Sequence, residues 1–534
     1  MLIAQFNEAK PLNASLIEVK VHSSLRDFLR SQGQPNWPHQ LTMARLVARA
    51  LRLGRSALIQ TGLEPLQETS LQSSYRLSYL APALVWSGPV IVVAPLWIQE
   101  WLLQKEIPLL QQWFGTDKVI HTSDRFPDQP FQGLLITSPE SWLTDRLKHK
   151  GWFPNHIPTV IDGVDDLESW TSNQLKGCIQ PQDWDALMQA HPQEADLIRD
   201  VRVRLTKALF QRPANPYECY LIEADQQDGL QQLFARLSSL STEPESLYLL
   251  KPWEKFCHFW QQSGQLMWAT VARSQGQFSL YSAPVEVATA LNPIWSRQPV
   301  VLIGGALDLE KSASVYRQQL GLGELTCLKF SPHQQIQLYL PDRLPMPNTE
   351  RFQNALTQEI RTLLNLSTDI TRPVVILVGD VPLKAQLGAV LAAEFGSRVQ
   401  VETTSLSHRG ILICGWEFWH RSQAQIPLPQ LLMIATLPIP SLENPLVAGR
   451  VAYYKQQLMD WFRLYLLPTA LRELQRAVAP VRATQGCVAI LDNRVNRRSY
   501  GRHVLSALSP FARINYLDAS WLNSDAPEGQ DSWL

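Results

Sequence analysis

A chain of 534 residues with 48 basic and 48 acidic side chains carries no net charge. That balance excludes a global attraction to nucleic acid or to an anionic membrane, so any such binding has to come from a local patch. Hydrophobic residues at 45% and charged residues at 18% exclude a disordered chain, and the length suits roughly three domains.

In chain order, "QLTMARLVARAL" repeats apolar residues at helical spacing, and "RSALIQTG" reads as a strand entering a loop. "SGPVIVVAPLWIQEWLLQ" gives strand, turn and helix. "FQGLLITSPESWL" repeats that order, and "IPTVIDGVDDL" adds another strand. Near-continuous apolar runs separated by helices predict a parallel sheet covered on both faces. From about 170 to 281 the pattern becomes mostly helical and polar, with no buried strands in series. "PVVLIGGAL" is strand-like, and the α/β rhythm then resumes in "RPVVILVGDVPL", "RGILICGWEFW", "QLLMIATLPIP" and "GCVAILDNRV". The strands bearing Val92, Ile161, Ile303, Ile376, Ile413, Ile434 and Ile490 are expected to form two mainly parallel sheets.

The six cysteines contain no CxxC pair, which argues against a zinc ribbon and fits a reducing cytosol. The opening residues lack the pattern of a signal peptide. The most apolar region is broken by Pro82, Pro89 and Pro95, so it is not a membrane span. The expected location is cytoplasmic.

An ordered series of motifs gives the arrangement a family likeness. "WPHQLTMARLVARALRLGRSALIQTG" resembles the Gln-containing entry helix and first strand of a superfamily 2 helicase, and "TVIDGVDDLESW" the strand bearing the Asp-Glu-Ala-His box. "LICGWEFWH", "LPIPSLENP" and "LPTALRELQRAVAPVRATQGCVAILDNRVNRRSYG" resemble the later motifs, in the right order. The chain resembles the DinG-like, XPD-related branch of these helicases over nearly its whole length. The resemblance implies an α/β fold class: two RecA-like parallel-sheet helicase domains, with a mostly helical, arch-like insertion in the first. The boundaries read as 1–169 for the first part of domain 1, 170–284 for the insertion, 285–310 for the last strand of domain 1, 311–522 for domain 2 and 523–534 for a polar tail. It also implies Mg-ATP as cofactor and ATP-driven 5′-to-3′ unwinding of DNA, with DNA repair as the setting.

The family's nucleotide-binding positions fall on Gln40, Gly62 and Asp162, the last also being the metal ligand; its catalytic positions fall on Asp162, Gln475 and Arg482. Several of their neighbours depart from the pattern. After Gly62 no G-K-[ST] follows, and Glu64, Pro65 and Glu68 stand in the loop. A proline removes a backbone donor and two carboxylates repel a triphosphate. Ser73, Ser74 and Arg76 are what remains there, with Arg76 reading as an exposed arginine at a helix start. Gly163 replaces the glutamate that orients water, while Asp165 and Asp166 read as capping the next helix. Ala479 and Pro480 replace the first arginine of the final motif and its neighbour, Arg476 and Val478 replace glycines, and His420, Arg421 and Gln423 replace acidic or glycine positions. Hydrolysis is expected to be impaired and nucleotide binding weak or absent. The cluster-bearing relatives place four cysteines before the acidic box; from Gly62 to Asp162 this chain has none, so no iron–sulfur cluster is expected.

Nucleic-acid binding needs cations along a groove and flat aromatic faces. "NRVNRRSYGR" supplies Arg494, Arg497, Arg498, Tyr500 and Arg502. Trp253, Phe256, Phe259, Trp260 and Trp268, interleaved with Lys255 and Arg273, read mostly as packing the insertion against the first sheet. Three functions stay open: a pseudo-helicase binding single-stranded DNA or another nucleic acid, a genuine helicase with an atypical site, and a scaffold for a protein partner. None involves a membrane.

Overall fold

The computed structural model describes residues 16–32, 37–62, 75–127, 130–240, 251–332, 334–367 and 371–514. The polar tail read at 523–534 lies outside them. The first strands are β1 (Ala57–Gln60), β2 (Val90–Val93), β3 (Ile120–Thr122), β4 (Leu134–Thr137) and β5 (Thr159–Asp162). The insertion holds β6 (Gly177–Ile179), β7 (Cys219–Leu221), β8 (Gln265–Ala272) and β9 (Gln277–Pro284). Then come β10 (Val300–Gly304), β11 (Thr326–Lys329), β12 (Ile336–Tyr339), β13 (Val374–Leu377), β14 (Val399–Val401), β15 (Ile411–Cys414), β16 (Leu431–Ile434), β17 (Cys487–Ile490) and β18 (Phe511–Ile514).

Two seven-stranded sheets result, in the orders β11-β1-β10-β5-β2-β4-β3 and β14-β15-β13-β16-β17-β12-β18. Every pairing within them is parallel. The seven apolar residues expected to mark parallel strands all lie in these sheets. Their central strands are apolar without alternation because both faces are covered. On one face of the first sheet, Val92, Val160 and Ile303 pack on the helices Ile17–Ser31, Gln40–Leu53 and Leu77–Val85. Ile91, Ile161 and Leu302 point the other way, into a second core with Trp142 and Leu291. Side-chain alternation along β5 therefore sends Asp162 to the Val160 face, beneath the helix Leu77–Val85.

Two expectations need correction. β11 pairs with β1, Ala57 opposite Thr326, so the first sheet continues past the boundary read at 310. Its burial is only partial, which is why no apolar run announced it. The insertion is mostly helical, but it also contains an antiparallel sheet in the order β6-β9-β8-β7. One face of that sheet is buried and one is not, so β8 alternates where the core strands do not. Met267, Ala269, Val271, Phe278 and Leu280 face helices that supply Trp184, Leu205, Trp253 and Phe256. Trp253, Phe256 and Trp260 thus build a core inside the insertion rather than a joint against the first sheet. The opposite face meets the second domain: a Cβ on Gly449, in the helix Pro445–Gln456, would lie 2.5 Å from Leu266 Cδ1 and 3.2 Å from Leu221 Cδ1. Among the described residues no helix is long and apolar enough to cross a membrane.

Candidate nucleotide cleft

β1 ends at Gln60 and the chain turns through Gly62 at φ +76°, a left-handed conformation that glycine adopts without strain. Glu64, Pro65, Glu68, Ser73 and Ser74 lie outside the described residues. The chain re-enters at Tyr75 and Arg76, the latter being the N-cap residue of the helix Leu77–Val85. Arg76 is not an exposed helix-start residue; it is 5% exposed, and Asp162 is 0% exposed. Tyr75 Oη donates to Asp162 Oδ1 at 2.7 Å, and Arg76 Nε donates to Oδ2 at 3.0 Å. Tyr79 Oη, one helical turn from Tyr75, donates to the same Oδ2 at 2.9 Å.

This arrangement is a charge pair sealed inside the domain. Burial pushes the Tyr75 and Tyr79 hydroxyls well above their ordinary value, so both remain protonated donors. Burial alone would lower the Arg76 guanidinium, but the Tyr75 oxygen and the Asp162 carboxylate outweigh it and raise the pKa. The rings of Tyr75 and Trp97 lie over the guanidinium at 4.8 and 5.5 Å. A hydrated Mg²⁺ needs open coordination positions and its own water. Both oxygens of Asp162, the expected metal ligand, take donors from the protein in this structure. Gln40 is also buried, at 1% exposure, with its amide oxygen accepting from the Ser78 hydroxyl.

The other acidic residues of the stretch also have partners. Asp165 accepts the N–H groups of Gly305 and Ala306, at 2.7 and 2.8 Å, in the loop after β10. Asp166 occupies the N-cap position of the helix Leu167–Gln174 but makes no side-chain cap there. Instead it accepts from Arg476 of the second domain at 2.8 Å. Glu168 accepts from Arg450 at 2.5 Å, with Arg472 at 4.0 Å. Burial alone would raise the Glu168 carboxyl, and the two guanidinium groups outweigh it and lower its pKa. The capping expectation fails because these carboxylates face the second domain and the β10 loop.

Gly62, Gln475 and Arg482 do come together, around a cavity of about 30 Å³ between the sheets. Ligand pockets run to about 300–1,000 Å³, so among the described residues this space suits water and not a nucleotide. Gln475 donates to the Ala507 carbonyl at 3.2 Å. Arg482 is buried and turned away from the first domain, donating to the carbonyls of Gln334, Leu508, Ser509 and Pro510. Burial pulls it down to about 10, so it stays a cation at neutral pH. In this structure Arg482, expected at a catalytic position, fastens the approach to β18. Arg476, at a position the resemblance marks as glycine, does cross the interface, as do Arg450 and Arg472.

The basic turn divides. Arg494 is held by Asp492, with Nε at 2.9 Å from both carboxylate oxygens and Nη2 at 2.6 Å from Oδ2. Tyr500 is half-buried against Phe462 at 5.3 Å. Arg494 and Tyr500 thus have partners within the protein, while Arg497, Arg498 and Arg502 are exposed. The sequence reading missed Tyr75, Tyr79, Arg450, Arg472 and Arg476. A signal for the first two exists in the pair of tyrosines at i, i+4 around an arginine, opening an otherwise apolar helix.

No family model and no curated protein matches the chain. Solved structures do. The chain is similar to an apo structure of XPD at TM-score 0.56 and 11% identity, covering 89% of this chain and 100% of that one. It is similar to Xpd4 of S. tokodaii at TM-score 0.57 and 12% identity, covering 89% and 99%. A third structure, of XPD helicase, matches at TM-score 0.55 and 11% identity, covering 90% and 99%. At these identities the likeness is one of fold: two RecA-like domains as in the XPD helicases.

Proposed function

We propose that this chain is a nucleic-acid-binding pseudo-helicase, a DinG-like fold whose nucleotide site has been replaced by side chains of the protein. The observation that carries the reading is the Asp162 carboxylate, which is fully buried and takes donors from Tyr75, Arg76 and Tyr79. Arg76 supplies within the chain the positive charge that a metal ion supplies in ATP-driven motors. Arg450 and Arg476 meet carboxylates of the first domain, so domain closure needs no phosphate to attract them. Single-stranded nucleic acid is the expected ligand, with Arg497, Arg498 and Arg502 as the accessible cations of the basic turn.

The test is a titration of labelled single-stranded DNA across a salt series, with and without Mg-ATP, alongside a phosphate-release assay. The reading expects salt-dependent binding, no influence of Mg-ATP and no turnover above background. DNA-stimulated hydrolysis abolished by Asp162→Asn establishes a genuine helicase instead. Absence of DNA binding leaves the scaffold function.

A further inference from the structure

Away from the cleft and the basic turn, three lysines gather where the insertion joins the first domain. Lys148 closes the helix Pro139–Lys148, Lys176 immediately precedes β6, and Lys255 lies on the helix Lys251–Trp260. Lys176 and Lys255 flank a close backbone approach, since a Cβ on Gly177 would lie 2.8 Å from Phe256 Cα, and burial first, then the charges of Lys148 and Lys176, lower the pKa of Lys255. Among the described residues none of the three forms an ion pair, and Lys176 has only an amide acceptor, Asn173 Oδ1 at 3.3 Å. The Asp183 carboxylate accepts the Gln180 N–H at 2.7 Å and, among the described residues, forms no ion pair with these lysines. In a chain with no net charge, an unmatched cluster of cations is a local attraction for an anion.

Beside these lysines lies the face of the insertion sheet that meets the second domain at Leu221 and Leu266. Trp268 and Tyr281 sit opposite each other on β8 and β9, with their rings stacked at 5.4 Å and 16°. Lys176 Nζ is 5.7 Å from the centre of the Tyr281 ring, and both aromatic residues are half-buried, so part of each still reaches solvent. Cations next to solvent-reachable rings match a ligand with phosphates on one side and unpaired bases on the other. A duplex offers the phosphates but keeps its base faces stacked away.

We propose that this face is a contact site for single-stranded nucleic acid, with phosphates against Lys148, Lys176 and Lys255 and a base against the Trp268–Tyr281 pair. The proposal rests on the nucleic-acid-binding reading above and assigns it a second surface, distinct from the basic turn.

The experiment uses the full chain, a labelled oligothymidine and a blunt duplex of equal length, over a salt series. For a variant combining Lys148→Gln, Lys176→Gln and Lys255→Gln, the slope of log K against log salt on the single strand should fall by about 2, at about 0.7 for each phosphate no longer neutralised. Trp268→Ala should weaken the single strand about tenfold and leave the duplex unchanged, and Trp268→Phe should restore most of the affinity. Thermal melting checks that each variant is folded. If the wild-type chain binds and the lysine variant keeps the wild-type slope, the site is wrong and the function stands. If both DNA forms weaken equally on removal of the Trp268 ring, the base contact is wrong. If the wild-type chain binds no nucleic acid, both the site and the function fall.

Discussion

Each large sheet ends a strand near a fully buried aspartate, Asp162 at the end of β5 and Asp492 just beyond β17, and each is neutralised by an arginine. The two pairs are built differently. Asp492 takes Arg494 from two residues away, plus the N–H groups of Arg494 and Leu437, and its guanidinium keeps 25% of the side-chain surface in water. Asp162 takes Arg76 from 86 residues away, and both side chains are removed from solvent. One pair is a local turn. The other is a tertiary staple that ties the start of the helix Leu77–Val85 to the sheet, where a metal would otherwise have to enter.

The largest expected effect comes from breaking that staple. Arg76→Ala leaves a buried carboxylate with only two phenolic donors and should cost about 3–5 kcal/mol in denaturant unfolding. Arg494→Ala should cost less, about 1–2 kcal/mol, because backbone donors remain and water reaches the site. Equal losses would mean that the contrast between the two pairs has no energetic content. The same staple predicts that Mg²⁺ does not raise the melting temperature of the wild-type protein; a metal bound at Asp162 would raise it.

Next in size is the domain latch, which places Glu168 between a buried pair and an open one. Its lowered folded pKa means that its contribution is present above the ordinary value of 4.5 and is lost as pH falls through the folded value. The domains should therefore loosen as pH falls below 4.5 and through the folded value, seen as an increased radius in small-angle scattering. Glu168→Gln should remove the pH dependence and cost about 1 kcal/mol at neutral pH. The smallest effect on function concerns the residue beside the staple. Gly163 has φ +82°, so Gly163→Glu should cost about 1–2 kcal/mol. Phosphate release should stay at background, because Arg76 still occupies Asp162. Turnover in this variant would show that the staple opens.

The cleft was legible in part. That the lysine, the glutamate after Asp162 and the first arginine expected from the resemblance are absent is visible in the residues themselves. What replaces them is not. Arg76 was misread because an arginine beside a helix end looks solvent-exposed when its partners are remote, and Arg482, given a catalytic place by the resemblance alone, has remote partners too. For Arg482 those partners are main-chain carbonyls, which no residue pattern announces. The insertion sheet was missed because its alternation of buried and half-buried residues in β8 runs through small and polar side chains such as Ala269 and Thr270.

Composition and apolar runs alone determined the two parallel sheets, since a strand buried on both faces writes that burial into consecutive residues. The same runs placed Asp162 at the end of such a strand. Only the tertiary structure decided what that aspartate does, because its donors Tyr75, Arg76 and Tyr79 become neighbours only once the helix lies over β5. The domain latch likewise joins Asp166 to Arg476 across 310 residues and Glu168 to Arg450 across 282. Pairings of that span depend on how the two sheets close on each other, and no local pattern in the chain encodes that geometry.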